Sequence, residues 1–468
     1  MAQAPAQQGG AEGGPGALAV VGCGRLGLTM ALAFATKGFA VHCVDVSSAL
    51  VAAIADRSFR SDEPGVTEAL CAIAPDDPRL RATTDLAAAA ATADTVLICV
   101  DTPSTGGDRH YDHGKVGAVL SALNRHAASL GAEAAGVPRR VVVCCTVMPG
   151  YLVEVGAHLL RDSAQLRAGL LYNPLFIAQG EIMRGLLQPD LILIGEAGDR
   201  VGDSPAGNAL TQLWGRVCEP QPAAAAGQAA AAEALPVRRM SWTGAEITKL
   251  SLNCFITMKI AFANMVGDVC DAAAARYAQP PGEAEAVEAG RGGEEGAGAD
   301  ADADALLAAA QGTTALREVC DKHAVLAAIG CDKRIGPLCL RPGYGFGGPC
   351  FPRDNRAFAT VAATLGVEPI LPRATDEANG VHAATQARQF RDLRAASYTF
   401  RDVAYKPGCP TPLIEESQKL RVAALLADSL REERSASAAQ RVVVADRAAV
   451  LDQVRLAFGS RFDYRQLD

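Results

Sequence analysis

A glycine-rich stretch that ends in a cysteine carries the most distinctive chemistry in this sequence of 468 residues. Residues 343–354 read GYGFGGPCFPRD, and four of the first six are glycine. Glycine costs backbone entropy, so it is tolerated where the chain must bend or approach a ligand. Pro352 suits the first turn of a helix, which places Cys350 at a helix N-terminus, where the thiolate is favoured. We predict that Cys350 is a nucleophile and that Asp354, one turn on, handles protons near its sulfur; the alternative is a structural cysteine.

Two polar residues share one face of a second predicted helix. Lys249 and Asn253 are spaced i,i+4 in an apolar segment that lacks proline from 244 to 275. A lysine and an amide together can hold a developing oxyanion and exchange a proton with a hydroxyl. The alternative is a solvated polar stripe, to which we assign Glu246 and Lys259.

A glycine motif near the N-terminus predicts a dinucleotide site. Gly22, Gly24 and Gly27 fill G-x-G-x-x-G between an apolar run and a helical segment. The helix N-terminus then offers N–H groups to phosphates. Asp45 ends the second predicted strand, where a carboxylate binds the ribose hydroxyls and repels the 2′-phosphate of NADP, so NAD is the expected cofactor. A Rossmann-like turn that binds nothing is the alternative. The predicted contacts are Gly22, Cys23, Gly24, Arg25, Leu26, Gly27 and Asp45.

Two further segments follow predicted strands. Residues 101–104 read DTPS and residues 145–150 read CTVMPG. The carboxyl ends of parallel strands line the ligand crevice of a doubly wound sheet. We therefore expect Thr102, Pro103 and Thr146 to contact cofactor or substrate, although turn hydroxyls often cap backbone groups instead.

Composition limits the function classes. Hydrophobic residues make up 49% and charged residues 21%, as in globular proteins with a core. Lys+Arg is 44 and Asp+Glu is 52, which argues against nucleic-acid binding. Fourteen cysteines occur without zinc spacing, so we expect reduced thiols and no metal. The sequence shows neither a signal peptide nor an uncharged apolar run of about 18 residues, so we expect a cytoplasmic protein and no membrane partner.

Short apolar runs alternate with helical segments, which predicts βαβ units and a mostly parallel sheet. The predicted strands are Leu18–Val21, Ala40–Val44, Thr95–Val100, Val141–Cys145, Leu170–Tyr172, Leu191–Ile194 and Arg441–Ala445.

Together these segments resemble the UDP-glucose/GDP-mannose dehydrogenase family, the nucleotide-sugar dehydrogenases. The match runs in order from Leu18 to about Leu426, through VVGCGRLG, VDTPS, CTVMPG, NPLFIAQG, GAEITKLSLNCF, DKRIGPLCLRPGYGFGGPCFPRD and YKPGCPTPLIEESQ. The resemblance implies two Rossmann-type domains joined by a long helix that also forms a dimer core. It also implies oxidation of a sugar C6 alcohol to a carboxylate by two NAD+, through an aldehyde, a thiohemiacetal and a thioester on cysteine.

The resemblance also implies residue roles. It makes Cys350 the nucleophile and Lys249 its acid/base partner. Asn253 is similar to an oxyanion donor, and Asp354 to a residue that positions or activates water. Thr146 is similar to the family threonine near the nicotinamide and the catalytic water.

Further contacts are implied around the glycine-rich loop. Arg334 resembles an arginine that the family donates to the substrate, often across the dimer. Residues 341–347 would wrap the sugar and pyrophosphate, with Tyr405 and Lys406 contributing from the C-terminal domain. The implied substrate contacts are Phe176, Lys249, Asn253, Arg334, Arg341, Tyr344, Gly345, Phe346, Gly347 and Lys406, and the cofactor contacts also include Arg353.

The expected fold class is α/β, with an N-terminal Rossmann domain, a central long-helix dimerisation domain and a truncated C-terminal Rossmann-like domain. The expected boundaries are a disordered leader at 1–16, an NAD-binding Rossmann domain at 17–219, a central helical domain with the catalytic cysteine loop at 237–390, a disordered insertion at 276–305 and a partial UDP-sugar-binding domain at 395–468. Residues 221–236 are an Ala-rich, Pro-bounded linker.

Several positions depart from the family pattern. The Asn-Pro-Glu-Phe motif has Leu175 in place of its glutamate, and a second glutamate is Gln179. Leucine cannot transfer the proton that thioester hydrolysis needs. The usual arginine of the D-x-R-E-S segment is Glu415. Arg401 and Asp402 fall in what would be a central strand of the C-terminal domain, where charges are costly to bury.

The sequence therefore predicts an NAD-dependent nucleotide-sugar 6-dehydrogenase that converts UDP-glucose to UDP-glucuronate and forms at least a homodimer. One alternative is a catalytically impaired homologue that binds NAD or a nucleotide sugar as a subunit or scaffold. Another is a one-step β-hydroxyacid dehydrogenase of related fold, whose chemistry needs no cysteine.

Overall fold

The computed structural model describes residues 16–105, 111–130, 136–198, 200–219, 235–277, 302–306, 320–432 and 440–467. These residues form two compact units, with the division in the chain after Lys249. The predicted leader up to residue 15, the linker at 221–234 and the predicted insertion at 278–301 lie outside the described residues.

The ends of the predicted insertion are ordered, contrary to expectation. Arg276 and Tyr277 belong to a long helix. At the other end, Asp302 forms a bridge with Thr399, and Ala303 is buried. The acidic composition predicts disorder across this whole range. Composition alone does not indicate which short stretches, such as the one around Asp302, contact the rest of the fold.

The first unit contains an eight-stranded sheet in the order β3-β2-β1-β4-β5-β6-β7-β8. All neighbouring strands are parallel except β6 and β7, so the predicted, mostly parallel sheet is confirmed. Its strands are β1 Leu18–Val21, β2 Val41–Val44, β3 Leu80–Thr83, β4 Thr95–Ile98, β5 Arg140–Val143, β6 Leu170–Tyr172, β7 Ile192–Glu196 and β8 Val237–Ser241. The strands β3 and β8, which are less apolar than the others, are not predicted by the apolar runs of the sequence.

Helices cover both faces of this sheet, so successive residues of a strand enter different cores. In β1, Val20 packs in one apolar cluster, and Ala19 and Val21 pack in the other. Burial on both faces explains why these strands read as continuous apolar runs. The helices are α1 Arg25–Thr36, α2 Ser48–Ala55, α3 Val66–Cys71, α4 Leu86–Thr92, α5 Gly114–Leu130, α6 Ala157–Leu159 (preceded by a π-helical turn, Leu152–Gly156), α7 Ala164–Ala168, α8 Ile182–Leu187 and α9 Pro205–Val217.

The predicted long helix is α10, Trp242–Tyr277, with 36 residues. The division between the two units falls after its eighth residue. In the described part of the chain it is the one helix whose length and hydropathy would allow it to cross a membrane. Such a helix is weak evidence for a span, because core helices pass the same test, and 39% of its most apolar window is buried. A cytoplasmic location stays a prediction.

The second unit combines helices with a three-stranded parallel sheet in the order β11-β10-β9. Its strands are β9 Ser397–Arg401, β10 Arg441–Asp446 and β11 Asp463–Gln466. Its described helices after α10 include α11 Lys322–Gly330, α12 Phe351–Thr364, α13 Ile370–Asp392, α14 Gln418–Glu432 and α15 Ala448–Phe458. Phe390 of α13 packs between Tyr398 and Phe400 of β9, at ring distances of 6.3 and 5.3 Å, which anchors the helix on the sheet.

The expectation that two charges lie inside a central strand is wrong. β9 is an edge strand, and it ends at Arg401, which pairs with Asp302 at 2.9 Å. Asp402 follows in a left-handed conformation with φ 50°, and its carboxylate accepts a hydrogen bond from the Gly408 N–H. Arg401 is the last residue of the strand and its side chain is 40% exposed, whereas Asp402 lies beyond the strand, so neither charge is buried inside the sheet.

Candidate active site

The turn between β1 and α1 has the geometry of a dinucleotide-binding loop. Gly22 has φ +88°, and a Cβ there would lie 2.9 Å from the Val100 backbone. A Cβ on Gly27 would lie 1.9 Å from the Gly22 carbonyl oxygen, so α1 can pack this closely only on glycine. Gly24 has nothing within 4 Å of its Cβ position, which leaves the approach to its backbone open to a pyrophosphate.

Asp45 holds this loop through a hydrogen bond to its backbone. Its Oδ2 accepts a hydrogen bond from the Cys23 N–H at 2.8 Å, and its Oδ1 accepts one from the Ser47 N–H at 2.9 Å. The Cys23 side chain is buried, and its thiol contacts the carbonyl oxygens of Val20 and Val44. Hydrogen bonding with Cys43 and burial raise the pKa of the Cys23 thiol. Only the backbone of Cys23 is therefore available to a cofactor.

Arg25 begins α1 and donates a hydrogen bond from Nη1 to Oε1 of Gln179 at 2.8 Å. The partner is neutral because glutamine stands where the family has glutamate. This contact therefore leaves the positive charge of the Arg25 guanidinium uncompensated. The charge lies at the N-terminus of α1, and helix N-termini are common binding sites for phosphates. Leu26, the next predicted contact, packs against the apolar core.

The two segments that follow β4 and β5 are joined by a hydrogen bond. The Thr102 hydroxyl donates to the Thr146 carbonyl oxygen at 2.9 Å. This bond keeps the two strand ends together, as expected for neighbours in a parallel sheet. The Thr102 hydroxyl therefore binds a backbone group, which is the structural role that was considered as the alternative to ligand binding.

Glu246, which we had assigned to a solvated stripe, is fully buried. Its carboxylate accepts hydrogen bonds from the N–H groups of Gly150 and Leu152, at 2.6 and 3.0 Å. Burial raises its pKa to about 7 against the opposing effect of these bonds. Glu246 therefore holds the segment that contains Thr146, and the assignment to solvent was wrong.

Lys249 is buried too, with 8% of its surface exposed. Its ammonium donates to the Leu175 carbonyl oxygen at 2.8 Å and lies 4.9 Å from the centre of the Phe176 ring. The solvated alternative is therefore wrong for Lys249. The Leu175 side chain packs against the apolar core and supplies no carboxylate beside this ammonium.

In the second unit, Cys350 stands at the N-terminus of α12 and is half-buried. Asp354 lies in the first turn of the same helix and is 1% exposed. Its Oδ2 accepts a hydrogen bond from Asn253 Nδ2 at 2.6 Å, and Oδ1 lies 3.7 Å from Nε of Arg353. The predicted helix start is confirmed. Asn253 and Asp354, 101 positions apart in the sequence, are brought together.

The glycine-rich loop before Cys350 is held through its backbone. Asn379 accepts a hydrogen bond from the Phe346 N–H and donates one to its carbonyl oxygen, both at 2.9 Å. A Cβ on Gly345 would lie 2.1 Å from the Asn379 side chain, and one on Gly347 would lie 2.2 Å from the Glu416 carbonyl oxygen. These glycines therefore allow close packing between the loop and the residues around it.

The other predicted substrate contacts lie in varied surroundings. The Phe346 side chain is 3% exposed, and the Tyr344 hydroxyl donates to Asp304 at 2.7 Å. The Arg334 side chain is 88% exposed and pairs with Asp332 at 2.7 Å. Lys406 lies 6.0 Å from the ring of Tyr405. Arg341 is exposed at the start of the loop.

Sequence reasoning missed the residues that hold these loops. Asn264, Asp268, Asn379 and His382 bind the glycine-rich loop or one another, and Glu63 binds the N–H groups that precede and begin α8. The one sequence signal for such residues is a polar side chain on the buried side of a helix. This signal can be recognised only when the buried side of the helix is already known. Among the residues that the structure describes, no group of three or more His, Cys, Asp or Glu side chains could hold a metal ion.

A doubly wound sheet with a glycine turn and an acidic residue after β2 defines a dinucleotide-dependent enzyme class. The model of the UDP-glucose/GDP-mannose dehydrogenase family matches residues 17–214 with its NAD binding domain and 313–380 with its central domain, more than half of the chain. The chain belongs to this family of NAD-dependent nucleotide-sugar dehydrogenases. NAD is its cofactor, and the opening at Gly24 and the carboxylate of Asp45 fit that molecule.

Similar proteins carry nucleotide-sugar dehydrogenase names. The UDP-glucose 6-dehydrogenase of Haloferax volcanii is 28% identical over 84% of this chain and 76% of its own length. The GDP-mannose 6-dehydrogenase of Pseudomonas savastanoi is 26% identical over 86% of this chain and 78% of its own. The solved UDP-glucose dehydrogenase of Pyrobaculum islandicum is 26% identical, with a TM-score of 0.70 over 98% of this chain and 88% of its own.

The contrast between two glycines gives a test of the cofactor site. We expect Gly24→Ala to leave the melting temperature unchanged, because its Cβ enters open space, but to weaken NAD binding by about tenfold or more. Calorimetric titration with NAD+ measures this. Gly27→Ala is the matched variant, and its overlap with Gly22 should cost about 3 kcal/mol of stability. Unchanged NAD affinity in folded Gly24→Ala would contradict this placement of the cofactor.

Proposed function

We propose that this chain oxidises the C6 alcohol of a nucleotide sugar to a carboxylate through covalent intermediates on Cys350, with UDP-glucose as the substrate. The observation that carries the proposal is the half-buried Cys350 at the N-terminus of α12, with the buried Asp354–Asn253 pair in the same unit. The name UDP-glucose 6-dehydrogenase, carried by relatives such as that of Haloferax volcanii, supports the choice of sugar nucleotide.

The chemistry balances as two oxidations and one hydrolysis. NAD+ bound at the β1–α1 turn would supply the hydride acceptor for each oxidation. The alcohol loses a hydride and a proton to give an aldehyde. The Cys350 thiolate adds to the aldehyde carbon, and the former carbonyl oxygen takes up a proton to give a thiohemiacetal. The thiohemiacetal loses a second hydride and the proton of its hydroxyl group to give a thioester. Water then displaces the sulfur, which releases the carboxylate and the free thiol.

The surroundings of each side chain support its role. The Lys249 ammonium is fixed by the Leu175 carbonyl and the Phe176 ring, so it is oriented to exchange a proton with the C6 oxygen. The Asn253 amide is oriented by Asp354, which leaves its second N–H for an oxyanion. The Asp354 carboxylate is the group nearest in sequence to Cys350 that can activate water.

The stoichiometry of NADH tests the covalent mechanism. We expect two NADH per UDP-glucose from the wild-type chain, measured by absorbance at limiting sugar. Cys350→Ser should give at most one, because a serine hydroxyl does not capture the aldehyde for the second oxidation. Cys331→Ser, at an exposed cysteine, is the control and should behave as wild type. Two NADH per sugar from Cys350→Ser would refute the covalent step. No NADH from wild type with any UDP- or GDP-linked hexose would refute the function and favour a non-catalytic role.

The leucine at position 175 gives a second test, of thioester release. General bases contribute about 10²–10⁴-fold, so we expect Leu175→Glu to speed acid formation by at least tenfold. Intact mass spectrometry should show less sugar adduct on Cys350 in this variant during turnover. Leu175→Gln introduces a side chain of the same shape as glutamate but without its charge, so acid formation should not become faster in this variant. Equal rates for all three proteins would mean that another group, such as Asp354, already activates the water.

An exposed apolar stripe on α10 supports the proposed homodimer. Phe255, Phe262 and Val269 are 60%, 44% and 62% exposed and recur every seven residues, so they lie along one side of the helix. A second copy of the chain would bury them. Sedimentation should show that Phe262→Glu forms monomers, whereas Leu456→Glu, at a residue 90% exposed elsewhere, does not. A wild-type monomer at micromolar concentration would overturn the dimer.

A further inference from the structure

A buried histidine links α10 to the glycine-rich loop. His382 of α13 is 7% exposed. Its Nδ1 lies 2.8 Å from Oδ2 of Asp268 on α10, and its Nε2 lies 2.8 Å from the carbonyl oxygen of Gly343. The imidazole thus bridges the Asp268 carboxylate and Gly343, the first glycine of the glycine-rich loop.

Both partners of this imidazole are hydrogen-bond acceptors. A backbone carbonyl oxygen cannot donate, so Nε2 must carry a proton. The Asp268 carboxylate accepts as well, so a proton on Nδ1 satisfies this second contact. The geometry therefore describes an imidazolium whose charge is offset by Asp268.

The loop is fixed at two points around this contact. The Gly343 carbonyl oxygen also accepts a hydrogen bond from Gln386 at 3.2 Å, and the Gly343 N–H donates to Asn264 at 2.9 Å. Three positions on, Asn379 holds both backbone groups of Phe346. The residues between these points are therefore flanked by anchored backbone groups, and His382 and Asn379 both help to set the position of the loop backbone.

We propose that His382, held as an imidazolium by Asp268, is a positioning residue that sets the glycine-rich loop for the nucleotide sugar. The inference rests on the proposed function, because it is this loop that would contact the substrate. His382 does not touch the reacting atoms. His382 instead lowers the free-energy cost of ordering the loop. A charge-assisted hydrogen bond offsets this cost more strongly than a neutral hydrogen bond does.

The protonation of His382 can be tested without any turnover. In the wild-type chain labelled with ¹⁵N-histidine, we expect the ring signals that disappear in His382→Gln to show two protonated nitrogens at pH 7. Asp268→Asn keeps an oxygen that accepts from Nδ1, but it removes the counter-charge, so its His382 signals should move toward a neutral ring. A neutral ring in the wild type would overturn the imidazolium whether or not the chain oxidises a sugar.

Kinetics test the positioning role. We expect His382→Leu to raise the KM for UDP-glucose by about tenfold to a hundredfold, with kcat changed less than threefold and NAD affinity unchanged. His382→Gln should recover most of the loss, because its amide can donate to Gly343. A normal KM in His382→Leu, or a loss of kcat alone that His382→Gln does not rescue, would refute the role. If His382→Leu fails to fold, the same comparison is made between wild type, His382→Gln and Asp268→Asn.

Discussion

The irregular loops of this chain depend on buried polar side chains that satisfy their backbone N–H and C=O groups. A buried backbone group without a partner costs about as much as a lost hydrogen bond, and loops cannot pair their own groups as helices and strands do. Here Asp45 binds the nucleotide-binding turn, Glu246 binds the segment after Thr146, and Glu63 binds the N–H groups at the start of α8. The second unit uses amides and an imidazole in the same way on the glycine-rich loop.

This dependence explains why the loops keep a defined shape although they contain many glycines. A charged acceptor that binds two N–H groups contributes more than a neutral one, and removing it leaves both donors unsatisfied, at about 1–3 kcal/mol each. The raised pKa of Glu246 shows the cost of keeping such a carboxylate away from water. That cost arises where a loop has buried backbone N–H groups that need an acceptor.

The departures from the family pattern have local effects on this frame. Leu175 is accommodated by apolar packing, and its carbonyl oxygen holds the Lys249 ammonium, a contact that does not depend on the side chain at 175. Gln179 keeps a hydrogen bond to Arg25 but removes a negative charge from the start of α1. Both substitutions therefore leave the local packing and hydrogen bonding of this frame in place.

Local and periodic features of the fold follow from the sequence alone. The apolar run Leu18–Val21 matches β1 at both ends, the glycine motif marks the β1–α1 turn, and Pro352 marks the start of α12, because these signals depend on near neighbours. The candidate residues Cys350, Asp354 and Asn253 came from residue types and spacing in the same way.

Which polar residues are buried, and which groups they pair with, depends on the tertiary structure. Glu246 was assigned to solvent, yet it binds N–H groups 94 and 96 positions earlier in the chain, and His382 binds partners 114 and 39 positions away. The position of β9 at one end of the described sheet, in the order β11-β10-β9, is likewise a property of strand order. A side chain's type states which hydrogen bonds it can make, but its burial and its partners depend on segments that are distant in the sequence and adjacent only in the fold.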